Sequence, residues 1–237
     1  MNNPLHVLRF AVNFVRLVRD PRRVDLVLQL ADQTANPEGL RAFLQRPVVV
    51  DFLARRPAPL RVSLTAMRAM PEGSLGRAYA GFLDSRGFDL DGLYHSDAGD
   101  GSDIAAVKVH MERSHDLWHT VLGFETDVAG ELGLQAYTLA QLQSPLAYVI
   151  LAAGMLGTLF YHREEGPRHM EAITRGWQLG RRHGPLFGAD WNAMLTWPIE
   201  QVRAHFGVTP ADVRTAGLAD MPAASPAPDL AAAPLAA

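Results

Sequence analysis

The chain has 237 residues, 48% of them hydrophobic, and a formal net charge of −3, which is enough for one well-packed domain and leaves a soft allowance for two. No basic face dominates and no recognised module appears, which argues against nucleic acid as a partner. Cysteine is absent, so disulfide frameworks and thiolate metal sites are excluded and a reducing compartment is suited.

Met1 to Asp20 disperses arginines among apolar residues instead of setting a charged head before an apolar core, so it reads as an amphipathic helix and not a signal peptide. Leu5, Leu8, Val12, Val15 and Val18 keep a helical period, with Arg9, Arg16 and Arg19 on other faces. Such a helix either anchors at a membrane interface or caps a bundle. Asp20-Pro21 and Asn36-Pro37 each predict a helix with proline in its first turn. Arg46-Pro47-Val48-Val49-Val50 is β-branched, but no partner strand is evident, so a helix start is expected there. A short helix follows within Pro57 to Pro71, then another from Ser74 to Phe88, closed by Gly87. Asp97 to Asp103 is acidic and glycine-rich but lacks the final bidentate Glu of a calcium loop, so it reads as surface.

A helix over Val107 to Leu122 carries His115-Asp116-Leu117-Trp118-His119. Positions i, i+1 and i+4 put two imidazoles and a carboxylate on one quadrant of a helix, a ligand set for a divalent cation. Glu131 follows twelve residues later, and an unbroken helix would carry it about 18 Å away. A fourth ligand from Glu131 therefore requires a bend, for which Gly123 and Gly130 are the natural places. Spacing alone leaves metal binding level with an ordinary pair of core or surface histidines.

From Leu132 to Tyr161 there is no charged residue, and Ser144-Pro145 opens a new helix within that stretch. It is shorter than the roughly 20 apolar residues of a membrane span. A buried central helix is one reading; a groove for an isoprenoid tail, with room left by Ala152, Ala153, Gly154 and Gly157, is the other, and both can hold together. Gly166-Pro167 starts a helix through Arg181-Arg182, with Arg175, Arg181 and Arg182 expected on a solvated face. A last helix is expected from Gly188 to Phe206, with a kink or break at Pro198. The fold class is all-α: a single-domain bundle over 1–215 with a central apolar helix, then a disordered Ala/Pro-rich tail over 216–237.

The run His115-Asp116-Leu117-Trp118-His119, eleven residues and then Glu131 resembles the HDxxH-x11-E signature of the Coq four family of ubiquinone (coenzyme Q) biosynthesis proteins. Thr126-Asp127-Val128, Gly130-Glu131-Leu132, Gln135-Ala136-Tyr137-Thr138-Leu139-Ala140-Gln141 and the upstream Pro71-Glu72-Gly73-Ser74-Leu75-Gly76-Arg77-Ala78-Tyr79 agree in order, so the likeness runs from about residue 10 to about residue 208. The resemblance implies His115, Asp116, His119 and Glu131 as both metal ligands and catalytic residues, with zinc foremost and iron, cobalt or manganese as alternatives. It implies metal-dependent, oxidative or simple, C1-decarboxylation of a polyprenylated hydroxybenzoate, with Glu112 and Arg113 as either neighbours of the site or plain surface charge. A non-catalytic lipid-binding scaffold that organises the other ubiquinone-biosynthesis enzymes around a structural metal is the alternative; a metal-dependent hydrolase unrelated to quinones is a third. Partners would be the isoprenoid lipid, those enzymes and a membrane touched peripherally, on the inner face of a bacterial cell membrane from the cytoplasm; a homodimer is compatible with this.

Overall fold

The computed structural model describes residues 4–20, 23–34, 37–61, 63–87 and 101–214. Among these the chain forms α1 (Pro4–Arg19), α2 (Val24–Thr34), α3 (Pro37–Leu44), α4 (Pro47–Arg55), α5 (Leu64–Arg68), α6 (Leu75–Arg86), α7 (Asp103–Leu122), α8 (Val128–Leu142), α9 (Pro145–Tyr161), α10 (Gly166–Arg182), α11 (Trp191–Met194), α12 (Ile199–Phe206) and α13 (Pro210–Arg214), with one 3-10 turn at Arg163–Glu165. No strand forms among the described residues; Ser74 and Pro198 make an isolated bridge. The expected Ala/Pro tail and most of the acidic loop lie outside the described residues.

Local chemistry explains where the helices begin. Pro47 and Pro145 occupy first turns, where a missing N–H costs nothing. Ser63, Ser74, Ser102, Asp127 and Asp190 each accept a hydrogen bond from a backbone N–H of the following turn. Ser102 starts α7 at Asp103, four residues before Val107, and Ser63 confines the helix expected within 57–71 to Leu64–Arg68. Gly87, with φ 65°, closes α6 as expected. The helix expected from Gly188 to Phe206 is divided into α11 and α12. Pro198 breaks it, and the chain around it pairs with the start of α6: Leu75 N–H donates to Trp197 O (2.8 Å), Gly76 N–H to Leu195 O (2.8 Å) and Ile199 N–H to Gly73 O (2.9 Å). The Pro71–Tyr79 stretch is thus a docking corner.

The main core gathers Phe52, Tyr79, Leu117, Trp118, Tyr137, Leu179, Phe187 and Trp191, while α1, α2 and α9 form a second cluster around Leu17, Leu26, Leu30 and Ala153. The tightest helix pair is α8 on α10. A Cβ on Gly176 would overlap the Gly133 carbonyl oxygen, and one on Gly133 would overlap the Phe124 ring, so only glycine lets these backbones meet.

Helix α9 lies between α8 and the α1–α2 pair. Two of its small residues meet neighbours closely, whereas Ala152 is exposed: a Cβ on Gly154 would strike the Leu132 side chain, and one on Gly157 would come within 2.9 Å of Val18 O. Helix α1 buries only the end of its apolar stripe, Val18. Leu5, Leu8, Val12 and Val15 are exposed, whereas Asn13, Leu17 and Val18 face inward. No helix among the described residues is long and apolar enough to cross a membrane.

The helix crossing and the core histidine are both open to test. Gly176→Ala forces a methyl into backbone and should cost about 3 kcal/mol, the upper end for overpacking, in denaturant unfolding. Gly81→Ala, on α6 with open space around it, should instead gain roughly 0.5–1 kcal/mol; equal effects would refute the crossing argument. His110 Nε2 accepts from Gly188 N–H (2.9 Å) between the rings of Phe52 and Phe187. Burial, aided by the positive charge of Arg55, pushes its pKa from 6.5 down to about 4. The folded state therefore refuses a proton that the unfolded chain accepts, so His110's contribution is whole above pH 6.5 and is lost as pH falls towards 4. Unfolding free energy should drop by roughly 2–3 kcal/mol between about pH 7.5 and about pH 4.5 through this group, and His110→Gln should flatten that part of the curve; an unchanged slope would sink the assignment.

Candidate metal centre

His115, Asp116 and His119 sit in the last two turns of α7. Gly123 ends that helix in the left-handed conformation, φ 73°, with its N–H on His119 O (2.8 Å). Residues 124–127 turn the chain, and Asp127 caps α8 by accepting from Gly130 N–H (2.8 Å). Glu131 then falls in the first turn of α8, where a carboxylate is favoured by the helix dipole. Of the two glycines expected to make the bend, Gly123 makes it. Gly130 lies inside α8 and its role is steric, since a Cβ there would overlap the Glu125 backbone.

The reversal brings Glu131 between the two imidazoles. Its Oε2 lies 3.4 Å from His115 Nε2 and its Oε1 3.2 Å from His119 Nε2. The imidazoles meet edge to face, centroids 5.0 Å apart at 83°. One ligand atom each from His115, Asp116 and His119 lies within 4.8 Å of the others; Glu131 joins through the histidines. His119 is fully buried, while His115 and Glu131 have side chains 28% and 39% exposed, so the group opens to solvent on one side.

The hydrogen bonding of His119 decides what the group can hold. Its Nδ1 is 3.1 Å from Phe124 O. A carbonyl only accepts, so Nδ1 carries a proton and Nε2 is the ring nitrogen left facing Glu131. That Nε2 is buried and makes no hydrogen bond, although Glu131 Oε1 is at ion-pair distance. An imidazole nitrogen and a carboxylate at this distance are held together by a proton or by a cation between them. Burial would depress His115, but the hydrogen bond and charge of Glu131, with the charge of Asp116, raise its pKa above the ordinary value. Burial would likewise raise Glu131, yet His119 and His115 hold it well below the usual carboxylate range. An ionised carboxylate, two imidazoles and a nearby second carboxylate fit a divalent cation.

Several supporting groups carry no sequence signal. The Phe82 ring stacks on His119 (5.9 Å, 23°), and the Arg86 guanidinium lies 3.9 Å from the Phe82 centroid while also pairing with Glu125. The final carbonyls of α7, which have no partner within the helix, accept from arginines of other helices: Arg203 donates to Val121 O (2.9 Å) and Thr120 O (3.1 Å), and Arg175 to Leu122 O (3.2 Å). Arg175 thereby departs from the solvated face expected for it, whereas Arg181 and Arg182 are exposed. Arg113 donates to Leu60 O (3.3 Å), about 200° around the helix from His115, which leaves it no direct part in the ligand cluster. Glu112 is half-buried on the same helix.

Known proteins share this architecture. The family described as "Coenzyme Q (ubiquinone) biosynthesis protein Coq4" matches residues 3–212. A Talaromyces stipitatus protein named "Ubiquinone biosynthesis protein coq4, mitochondrial" is 29% identical over 202 residues, covering 82% of this chain and 69% of its own. A Nematostella vectensis homologue, also named mitochondrial, is 29% identical over 205 residues, covering 81% and 95%. The crystal structure of a Nostoc punctiforme protein assigned by name to ubiquinone biosynthesis superposes with a TM-score of 0.71 at 26% identity, covering 84% of this chain and 97% of that one. The chain belongs to the Coq4 family of coenzyme Q (ubiquinone) biosynthesis proteins.

Proposed function

We propose that the protein acts in ubiquinone biosynthesis as a metal-dependent decarboxylase that removes the C1 carboxylate of a polyprenylated hydroxybenzoate. The observation that carries this reading is the buried His119 Nε2, which makes no hydrogen bond and lies 3.2 Å from Glu131 Oε1, on a cluster whose His115 and Glu131 side chains remain open to solvent. His115, Asp116, His119 and Glu131 would hold the ion, zinc foremost and iron, cobalt or manganese as alternatives. When bound, such an ion supplies Lewis-acid polarisation of an oxygen substituent, or redox chemistry with dioxygen if it is iron, cobalt or manganese.

In the reaction the bond from ring carbon one to the carboxylate breaks, carbon dioxide leaves, and the bonding pair stays with the ring. A proton replaces it in the simple reaction; in the oxidative form, dioxygen and a two-electron donor supply a hydroxyl there and release water. The chain's own contribution is orientation: Phe124 O fixes the His119 ring, and Phe82 covers its face and excludes water. The open side formed by His115, Asp116 and Glu131 is where the head group would approach.

A bilayer is the natural source of a substrate with an isoprenoid tail. Exposed Leu5, Leu8, Val12 and Val15 on α1, beside Arg9 and Arg16, and exposed Tyr148, Leu159, Phe160 and Tyr161 on α9 support peripheral contact with lipid. The same apolar exposure favours the second reading, a lipid-binding scaffold for the other biosynthetic enzymes in which the metal is structural. A closed set of four protein ligands would suit that role; the half-open cluster suits the enzyme better.

The test measures metal content and turnover of a short-tailed prenyl hydroxybenzoate together. The expected result is about one metal per chain, lost with carbon dioxide release in the His115→Ala, His119→Ala double variant while helicity is retained. Metal bound by a wild type that turns nothing over would favour the scaffold, and turnover that survives the double substitution would end the catalytic assignment.

A further inference from the structure

The corner between α7 and α8 is held from outside by a residue that touches none of the four ligands. Arg175, in the middle of α10, donates through Nη2 to Leu122 O (3.2 Å) and to Asp212 O (2.6 Å). Its guanidinium carbon lies 4.3 Å from the centroid of the Phe124 ring. Phe124 is buried, 3% exposed, and its other flank rests on Gly133, where any side chain would overlap the ring. The peptide next to that ring carries the carbonyl that fixes His119 Nδ1. Leu122 and Phe124 flank Gly123, the residue with left-handed backbone at the turn. Arg175 thus grips both sides of the left-handed residue in the corner, by a hydrogen bond before it and by a cation over a ring after it.

We propose that Arg175 is a positioning residue of the metal centre: by pinning Leu122 and Phe124 it keeps the Phe124 carbonyl on His119 Nδ1, so that Nε2 is the nitrogen offered to the ion. The inference rests on the metal reading of the site, but its effect on His119 can be read without metal. Arginine suits this position where lysine would not, because a planar fork bonds two carbonyls in its own plane while its face covers an aromatic ring. The second partner, Asp212 O, ties α13 to the same joint.

The experiment compares wild type with Arg175→Met, Arg175→Lys and the exposed control Arg181→Ala, all checked for folding by circular dichroism. In the metal-free proteins, the nitrogen NMR shifts of the His119 ring report which nitrogen is protonated; titration with cobalt(II) reports affinity and, from its visible spectrum, ligand geometry. The expected result is an Nδ1–H tautomer in wild type and Arg181→Ala, and a shift towards mixed tautomers in Arg175→Met. Cobalt binding should weaken about 10- to 100-fold in that variant, as is usual when the partner of a metal-bound histidine is lost. Arg175→Lys should fall between, and it serves if Arg175→Met does not fold. A folded variant of either kind with wild-type tautomer and affinity overturns the proposal. A wild type that takes up no cobalt defeats the metal reading, whereas a tautomer shift in Arg175→Met under the same conditions still upholds the positioning of His119.

Discussion

Glu131 faces His115 and His119 only because the chain reverses between Leu122 and Val128. The reversal requires one left-handed residue, Gly123, and one capping carboxylate, Asp127. It also leaves the last carbonyls of α7 without helical partners, and a buried carbonyl without a donor is costly. Arg203 and Arg175 supply those donors from helices far along the chain, while Arg86 and Arg168 pair with Glu125 and Asp127 on the outer side of the turn. Four guanidinium groups from three helices therefore converge on one short corner, and the ligand geometry depends on that convergence.

The same corner explains why α8 and α10 approach so closely. Phe124, whose carbonyl meets His119 Nδ1, sets its ring against α8, and only glycine at position 133 leaves the space. Gly176 then allows α10 to come down on Gly133, which places Arg175 on the opposite side of the Phe124 ring. Backbone contact between helices, usually a device for packing, here also sets the side-chain layer against which His119 is oriented. The electrostatics follow from the geometry: a buried histidine has one nitrogen committed to a carbonyl and the other turned to a carboxylate, and the two imidazoles together hold that carboxylate ionised.

Away from this centre the molecule is built differently. Helices α1, α2 and α9 share a small second core and keep apolar residues on the surface. Burial of Asn13 and Leu17 on α1 uses a face away from its regular apolar stripe, of which Val18 alone is buried. A surface that retains Leu5, Leu8, Val12 and Val15 beside arginines has the composition of a helix that meets lipid head groups and acyl chains, in keeping with a family that serves an isoprenoid quinone.

The sequence by itself determined the all-helical class, most helix starts, and the ligand candidates. Prolines, serines and aspartates act on the turn next to them, and the spacing of His115, Asp116 and His119 is an intrahelical period; both are local effects that need no knowledge of the fold. That Glu131 had to return was also legible, because a helix of that length cannot close on itself. Which side of α1 is buried was not legible, since periodicity shows that a stripe exists and not what covers it. Nor was the role of Gly130, Gly133 and Gly176, whose meaning lies in atoms brought up from elsewhere in the chain. The tautomer of His119 and the departure of Arg175 from solvent belong to the tertiary structure alone. Each depends on a main-chain carbonyl, Phe124 O or Leu122 O, and carbonyls carry no identity in a sequence: only the path of the chain decides which donor they meet.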